Sequence, residues 1–413
     1  MKTRDLLFRF PYSILFIVAA ILLVYAQVLT FSLGKLDEYN IILVNLELLR
    51  DFGNLKVVLL SNPFMGHGGD FYRPLQNLTF MIDAHLSGEA GWAYYLTNMV
   101  LHAVVCSLLW YLLITTGTER RTALLLSLAF AVHPLFVQTV AWAPSRGDLL
   151  IAVFGALSFV AFIRYLQTRR PGFLVLHLVS YLFALFSKES AILIPVVCYL
   201  WYFLFFREDR IPPVIHIAGN MVYLAGIILF FYLRNTVAGI SVTEGSIGLA
   251  PVFSHLRTIP ELILKLFIPV NLSPMPGYNW LLTITGIFFI AGLFFIALKV
   301  KPLTIKALIF GASWFLVFLG PSLVFVNQYG SLAFDYMEHR AYLPAIGIFL
   351  FIGSWITGRR EPKGFSYFAV VLTILVVVFG TYAHLYTRNY RDPVSFLTRA
   401  VNTNSSSSVA WFC

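Results

Sequence analysis

Gly34-Lys35-Leu36-Asp37-Glu38-Tyr39-Asn40 begins a polar interruption that runs from Gly34 to Glu89, directly behind an apolar run from Tyr12 to Leu33. Further along the same interruption stand Asp70-Phe71-Tyr72-Arg73-Pro74 and Asp83. Elsewhere charge is scarce. Hydrophobic residues make up 59% of the 413 and charged residues 12%, whereas a soluble chain is roughly half apolar and a quarter charged. The apolar residues fall in runs of membrane-crossing length, about 17–25 residues, which makes this an all-α polytopic membrane protein. Within such a chain, the stretch that gathers carboxylates, an arginine, glycines and aromatics at one membrane face reads as the front of an active site that later loops complete.

Eleven apolar runs are expected to span: 12–33, 92–116, 121–139, 148–167, 172–187, 189–206, 213–233, 280–298, 303–325, 341–357 and 365–386. Helices satisfy their own backbone polar groups in lipid, and in a chain of this pattern nothing else does. The first run is too long for the apolar core of a secretion signal and lacks a small-residue cleavage site, so it reads as a retained helix. Segment 252–272 is apolar but holds Arg257, Glu261, Lys265 and prolines. It reads as a helix lying in the outer interface or re-entering it.

Orientation follows from Lys and Arg, which concentrate in cytoplasmic loops. With the N-terminus inside, the inner loops carry 16 of the 29 basic residues against five acids, a net of +11. The outer segments then hold 13 basic and 14 acidic residues, a net of −1. The overall charge of +10 is therefore a topology signal and implies no nucleic-acid partner. Long outer loops and minimal inner ones put the work on the outer face. Cys106, Cys198 and Cys413 have neither disulfide nor metal spacing. No phosphate-binding glycine loop, dinucleotide fingerprint or HExxH motif occurs.

Several polar groups stand out against this background. A carboxylate at the membrane surface, such as Asp37 or Glu38, can accept a proton from an attacking hydroxyl; the plainer alternative is a solvated pair. Arg73 offers a planar fork suited to phosphate, or a local salt bridge to Asp70. Asn98 and His102 share one helix face and line either a cavity or the bundle interior. His133-Pro134 and Ser145-Arg146-Gly147-Asp148 frame the second outer loop, with a buried Arg146–Asp148 pair as the structural alternative. Lys188-Glu189 forms an outer turn between two runs. Arg234 ends the seventh run as a snorkelling anchor or phosphate contact. Glu338-His339-Arg340 opens the tenth, and Arg340 there sits where a helix N-terminus favours an anion.

In this order the motifs resemble a known family. Asp37-Glu38, Tyr72-Arg73-Pro74-Leu75, Asn98 with His102, His133-Pro134, Ser145-Arg146-Gly147-Asp148-Leu149-Leu150, Lys188-Glu189-Ser190 and His339-Arg340-Ala341-Tyr342-Leu343-Pro344 are similar to the membrane part of the transmembrane and tetratricopeptide-repeat O-mannosyltransferases and their bacterial relatives, within the GT-C glycosyltransferase superfamily. The resemblance covers nearly the whole chain. It implies a GT-C-like bundle, residues 1–387, with outer-face interfacial helices. It implies transfer of a sugar, mannose-like hexose favoured, from a polyprenyl- or dolichyl-phosphate donor to a protein Ser or Thr or a glycan hydroxyl, with inversion.

By the resemblance Asp37 is the candidate base, and Glu38 supports it or orients the acceptor. Arg73, Arg146, Lys188 and Arg340 hold the lipid phosphate. Asp70, Tyr72, Asn98, His102, His133, Asp148, Glu189, Arg234, Glu338 and His339 complete the cavity. No cofactor is firmly implied. Asp37, Glu38 and Asp70 could hold a divalent metal, but a lipid-monophosphate donor gives little reason for one. The expected setting is a bacterial inner membrane, or the endoplasmic reticulum in a eukaryote, with the N-terminus cytoplasmic and the C-terminus outside. The family often has Glu where this chain has Gln138. It also carries a repeat domain after the last span, and 388–413 reads as an outer-face tail at the start of such a region. A transporter or flippase of lipid-linked glycans is the rival reading.

Overall fold

The computed structural model describes residues 10–65, 71–206, 211–238, 249–297, 302–324, 334–358 and 367–412. Among them the architecture is all-helical. Seven helices are long and apolar enough to cross a membrane: Tyr12–Thr30, Trp92–Thr115, Ala143–Thr168, Pro213–Val237, Ile305–Val324, Glu338–Thr357 and Tyr367–Tyr390. A bent pair, Arg120–Ala131 and Pro134–Ala141, makes an eighth. Three of the eleven expected spans are shorter apolar helices, Pro171–Leu185, Glu189–Phe205 and Trp280–Ile296. Each expected run is thus a helix, but eleven full-length crossings are not present among the described residues. At 1.5 Å per residue the short ones fall below the roughly 30 Å hydrocarbon thickness.

The 49° bend has a local cause. Pro134 contributes no backbone N–H and pushes the preceding residue out of the helical region, and His133 accordingly sits at φ −70°, ψ 126°. Two buried histidines repair the break. His102 Nε2 donates to the freed Ala131 carbonyl at 2.9 Å, and its Nδ1 accepts from the Tyr342 hydroxyl at 2.6 Å. The Leu135 N–H donates to His133 Nδ1 at 3.1 Å, and His133 Nε2 donates to the Leu266 carbonyl at 2.8 Å. Both were candidates for the cavity. Both are instead neutral-tautomer braces inside the bundle.

Helix Pro302–Val324 lies against helix Tyr342–Thr357 with backbones touching. A Cβ added to Gly347 would come 2.6 Å from the Gly311 carbonyl oxygen, and one on Gly311 would come 2.5 Å from that of Gly347. Small residues permit such close packing in membranes. Gly347→Val is expected to destabilise the protein by about 1–3 kcal/mol through overpacking, read as a lower melting temperature in detergent.

The first interruption is helical rather than open loop. A single π-turn, Tyr39–Leu43, and short helices Leu46–Leu49 and Leu55–Leu59 lead to the longer Pro74–Ser87 helix. Segment 252–272 is broken into Leu249–His255 and Thr258–Phe267, and the second buries Glu261 and Lys265. Beyond the last span, helix Pro393–Thr403 folds back onto the bundle. Arg399 Nη2 donates to the Leu272 carbonyl at 2.8 Å and Thr403 Oγ1 donates to Ser273 Oγ at 2.6 Å.

Candidate active site

Loop 32–38 is set by buried Glu38. Its carboxylate takes the Lys35 ammonium at 2.9 Å, the backbone N–H groups of Gly34 and Lys35 at 3.1 Å each, and the Tyr95 hydroxyl at 3.1 Å. It also reaches across to the second outer loop, accepting from Ala143 N–H at 3.0 Å, while Trp142 Nε1 donates to the Lys35 carbonyl at 3.1 Å. The turn needs left-handed backbone at Gly34 (φ 113°) and at Leu36 (φ 48°). Glycine accepts this readily, but for leucine it is a strained conformation of the kind that clusters at functional sites. Glu38 is thus held among protein donors, a position from which it sets where Asp37 sits. Asp70, the third residue of the expected metal trio, lies outside the described residues.

The consequence of that clamp is where Asp37 goes. It lines a cavity of about 210 Å³, together with Arg73, Asp148, Lys188, Glu189, His339 and Arg340. Aromatic and apolar walls come from Phe64, Phe71, Trp142, Phe318 and Phe334. Burial raises the Asp37 pKa from the ordinary 3.8 to about 6, with Glu38 adding to the rise and the Arg73 guanidinium opposing it. The group is thus poised near neutrality, the range in which a general base works best.

Two ion pairs flank it. Arg73 holds Glu189 through both carboxylate oxygens, at 2.7 and 3.1 Å, in the planar fork geometry that also suits phosphate. Lys188 Nζ lies 2.7 Å from Asp148 Oδ1, and His339 Nε2 stands 3.8 Å from the other oxygen. The Lys188-Glu189 turn therefore sends its adjacent side chains to different partners, as i,i+1 neighbours do. Burial lowers the Lys188 pKa against the pull of Asp148, whereas the carboxylates of Glu189, Asp148 and Asp37 raise that of Arg73 over the burial cost. Arg340 joins from the turn that opens the Tyr342–Thr357 helix.

Other expected site residues lie elsewhere. Arg146, expected at the lipid phosphate, is fully buried and lashed to Asp83 at 2.8 Å, Asn98 Oδ1 at 2.5 Å and the Tyr94 carbonyl at 2.7 Å. It ties three helices together and does not line the cavity. Its alternative partner Asp148 is taken by Lys188. Asn98 spends its amide on the Val140 and Trp142 carbonyls. Glu338 is buried with Lys265 at 2.7 Å. Tyr72 packs between Phe186 and Phe230. Arg234, in the Pro213–Ala238 helix, is not among the cavity's lining residues. Arg73 pairs with Glu189; Asp70, its expected local partner, lies outside the described residues.

Sequence reasoning passed over Trp142, Gln76 and the bridging role of Gln138. Gln138 donates to the Pro274 carbonyl at 3.0 Å and accepts from His339 N–H at 3.3 Å. An amide can do both, whereas an ionised Glu could not donate. The one available signal was polarity at positions where the surrounding helix turns are apolar.

The all-helical fold has a counterpart among solved structures. It superposes on the solved structure of ArnT from Cupriavidus metallidurans bound to undecaprenyl phosphate with a TM-score of 0.51, at 15% identity, covering 95% of this chain and 77% of that one. In sequence, residues 74–234 match the family model described as dolichyl-phosphate-mannose-protein mannosyltransferase. Human protein O-mannosyl-transferase TMTC1 is 32% identical over 185 residues, 41% of this chain and 21% of that protein. Drosophila melanogaster Tmtc1 is 33% identical over 148 residues, 34% and 17%. Mouse TMTC3 is 26% identical over 226 residues, 52% and 24%. The matched stretches amount to between 17% and 24% of the length of these relatives.

Proposed function

We propose that this chain transfers a mannose-like hexose from a polyprenyl- or dolichyl-phosphate donor to an acceptor hydroxyl, of the protein Ser or Thr kind, on the outer or lumenal face of its membrane. The observation that carries this is one small cavity at the helix ends holding a carboxylate with pKa about 6 opposite Arg73, Lys188 and Arg340. The sequence likeness to O-mannosyl-transferases and the shared fold with ArnT support it.

Asp37 takes the proton of the acceptor hydroxyl as its oxygen attacks the anomeric carbon. The bond from that carbon to the phosphate oxygen breaks, and the electron pair leaves with the lipid phosphate. Fixed cations at the position where that charge develops lower the barrier without reorganising. Attack and departure on opposite sides of the sugar give inversion. The positive-inside count supports an outer location for this end of the bundle, with the N-terminus cytoplasmic. A transporter would gather its ionisable groups near the midplane on broken helices, whereas the cavity's charged side chains here sit at helix ends.

The test is transfer itself. Purified protein in sealed proteoliposomes, given undecaprenyl-phosphate mannose and a Ser/Thr-rich peptide, should yield mannosylated peptide and free lipid phosphate in equal amounts. Transport of the intact donor across the bilayer with no product would overturn the proposal. Arg340→Ala is expected to weaken binding of undecaprenyl phosphate about 10–100-fold, the worth of a charge-assisted hydrogen bond. Unchanged affinity in a titration would remove Arg340 from the phosphate site.

A further inference from the structure

The cavity contains a polar atom that the lipid phosphate cannot satisfy. Gln76, in the first turn of the Pro74–Ser87 helix, lines the cavity and is 1% exposed. Its Oε1 is buried with no hydrogen-bond partner. His339 Nδ1, on the same cavity, is likewise buried and unpartnered. Most buried polar side-chain atoms are paired, and an orphan asks for an explanation.

The shape around Gln76 makes room for that oxygen. A Cβ added to Gly147 would lie 2.7 Å from Gln76 Oε1 and 3.7 Å from Arg73 Nη1. The bare Gly147 backbone thus leaves the amide oxygen the space that a side chain there would fill. An amide oxygen only accepts hydrogen bonds, and an ionised phosphate diester also only accepts. The two cannot pair, so the missing partner is an O–H or N–H. Trp142 and His339, which also line the cavity, pack with their ring centroids 5.4 Å apart, adding an aromatic surface to the ionic one. The volume of about 210 Å³ is below the roughly 300–1,000 Å³ of sites for drug-sized ligands.

We propose that Gln76 reads a ring hydroxyl of the donor sugar, its Oε1 accepting that hydrogen bond, so that the Gln76, Trp142 and His339 wall selects the sugar while the cations hold the phosphate. This rests on the donor reading above and names the residue that sets sugar identity.

The experiment measures binding of undecaprenyl phosphate, undecaprenyl-phosphate mannose and its four monodeoxy analogues to wild type, Gln76→Leu and Gln76→Glu. Gln76→Leu should weaken the mannosyl lipid about tenfold and leave the bare lipid phosphate unchanged. One monodeoxy analogue should bind wild type as weakly as it binds Gln76→Leu. Gln76→Glu keeps an acceptor and should still distinguish that analogue from the parent, which keeps the test decisive if the leucine variant does not fold. The proposal is overturned if Gln76→Leu weakens bare and mannosylated lipid equally, or if every deoxy analogue responds to the variants as the parent does. If wild type binds none of these lipids, the donor reading itself fails and this assignment falls with it. If wild type binds the lipids but is blind to Gln76, only this assignment falls.

Discussion

Asp37→Asn is expected to reduce sugar transfer by roughly 10²–10⁴-fold, the usual worth of a general base, while leaving the protein folded and able to bind undecaprenyl phosphate. Asn is nearly isosteric and cannot take a proton. The pH profile supplies the second half of the prediction. Because burial lifts the Asp37 pKa to about 6, the active ionised form is lost below that value. Transfer by wild type should rise through about pH 6 and level off above it. The stability effect has the opposite sign. The folded pKa is raised above the ordinary 3.8, so Asp37 favours the folded state most when protonated, and that contribution fades as pH climbs from about 4 through about 6. The Asn variant should therefore melt no lower than wild type at pH 7. An Asn variant that is fully active, or a flat rate between pH 5 and 7, would show that Asp37 is not the base.

The largest expected loss of stability lies away from the cavity. Asp83→Leu strips Arg146 of its carboxylate while leaving the guanidinium buried, with side-chain exposures of 0% for Arg146 and 1% for Asp83 in the intact pair. Breaking a buried pair by removing one partner costs about 3–5 kcal/mol, because the survivor is an uncompensated charge. The double variant, Asp83→Leu with Arg146→Met, removes both charges and should recover much of that loss. Melting temperatures of the three proteins in one detergent check this. An Asp83→Leu protein as stable as wild type would remove the strut assigned to Arg146.

The two variants mark what the sequence does and does not reveal. Hydropathy exposes the helices because lipid imposes long apolar runs, but it does not separate Pro171–Leu185, Glu189–Phe205 and Trp280–Ile296 from the longer spans, because short apolar helices look the same in composition. Asp37, Arg73, Lys188 and Arg340 are legible as charges at helix ends, and the structure brings these four to one cavity. Arg146 looks no different in one dimension. Its burial depends on Asp83 and Asn98, 63 and 48 residues away, and no local pattern announces such pairings. Glu38 is the sharper case. It is adjacent to Asp37, but one side chain faces the cavity and the other the Lys35 clamp, a divergence created by the left-handed Leu36 turn. Gln76 was overlooked because an amide in an amphipathic helix ordinarily faces solvent.

The ion pairs of the cavity carry one more implication. Among the described residues its three cations, Arg73, Lys188 and Arg340, share the cavity with three carboxylates, Asp37, Asp148 and Glu189, so these charges offset one another. Under the proposed function, an arriving anionic head group would have to trade places, taking Arg73 from Glu189 and Lys188 from Asp148, so its affinity would be the difference between two sets of good contacts. The same two carboxylates would then compete for the cations as the spent lipid leaves, favouring release over tight capture.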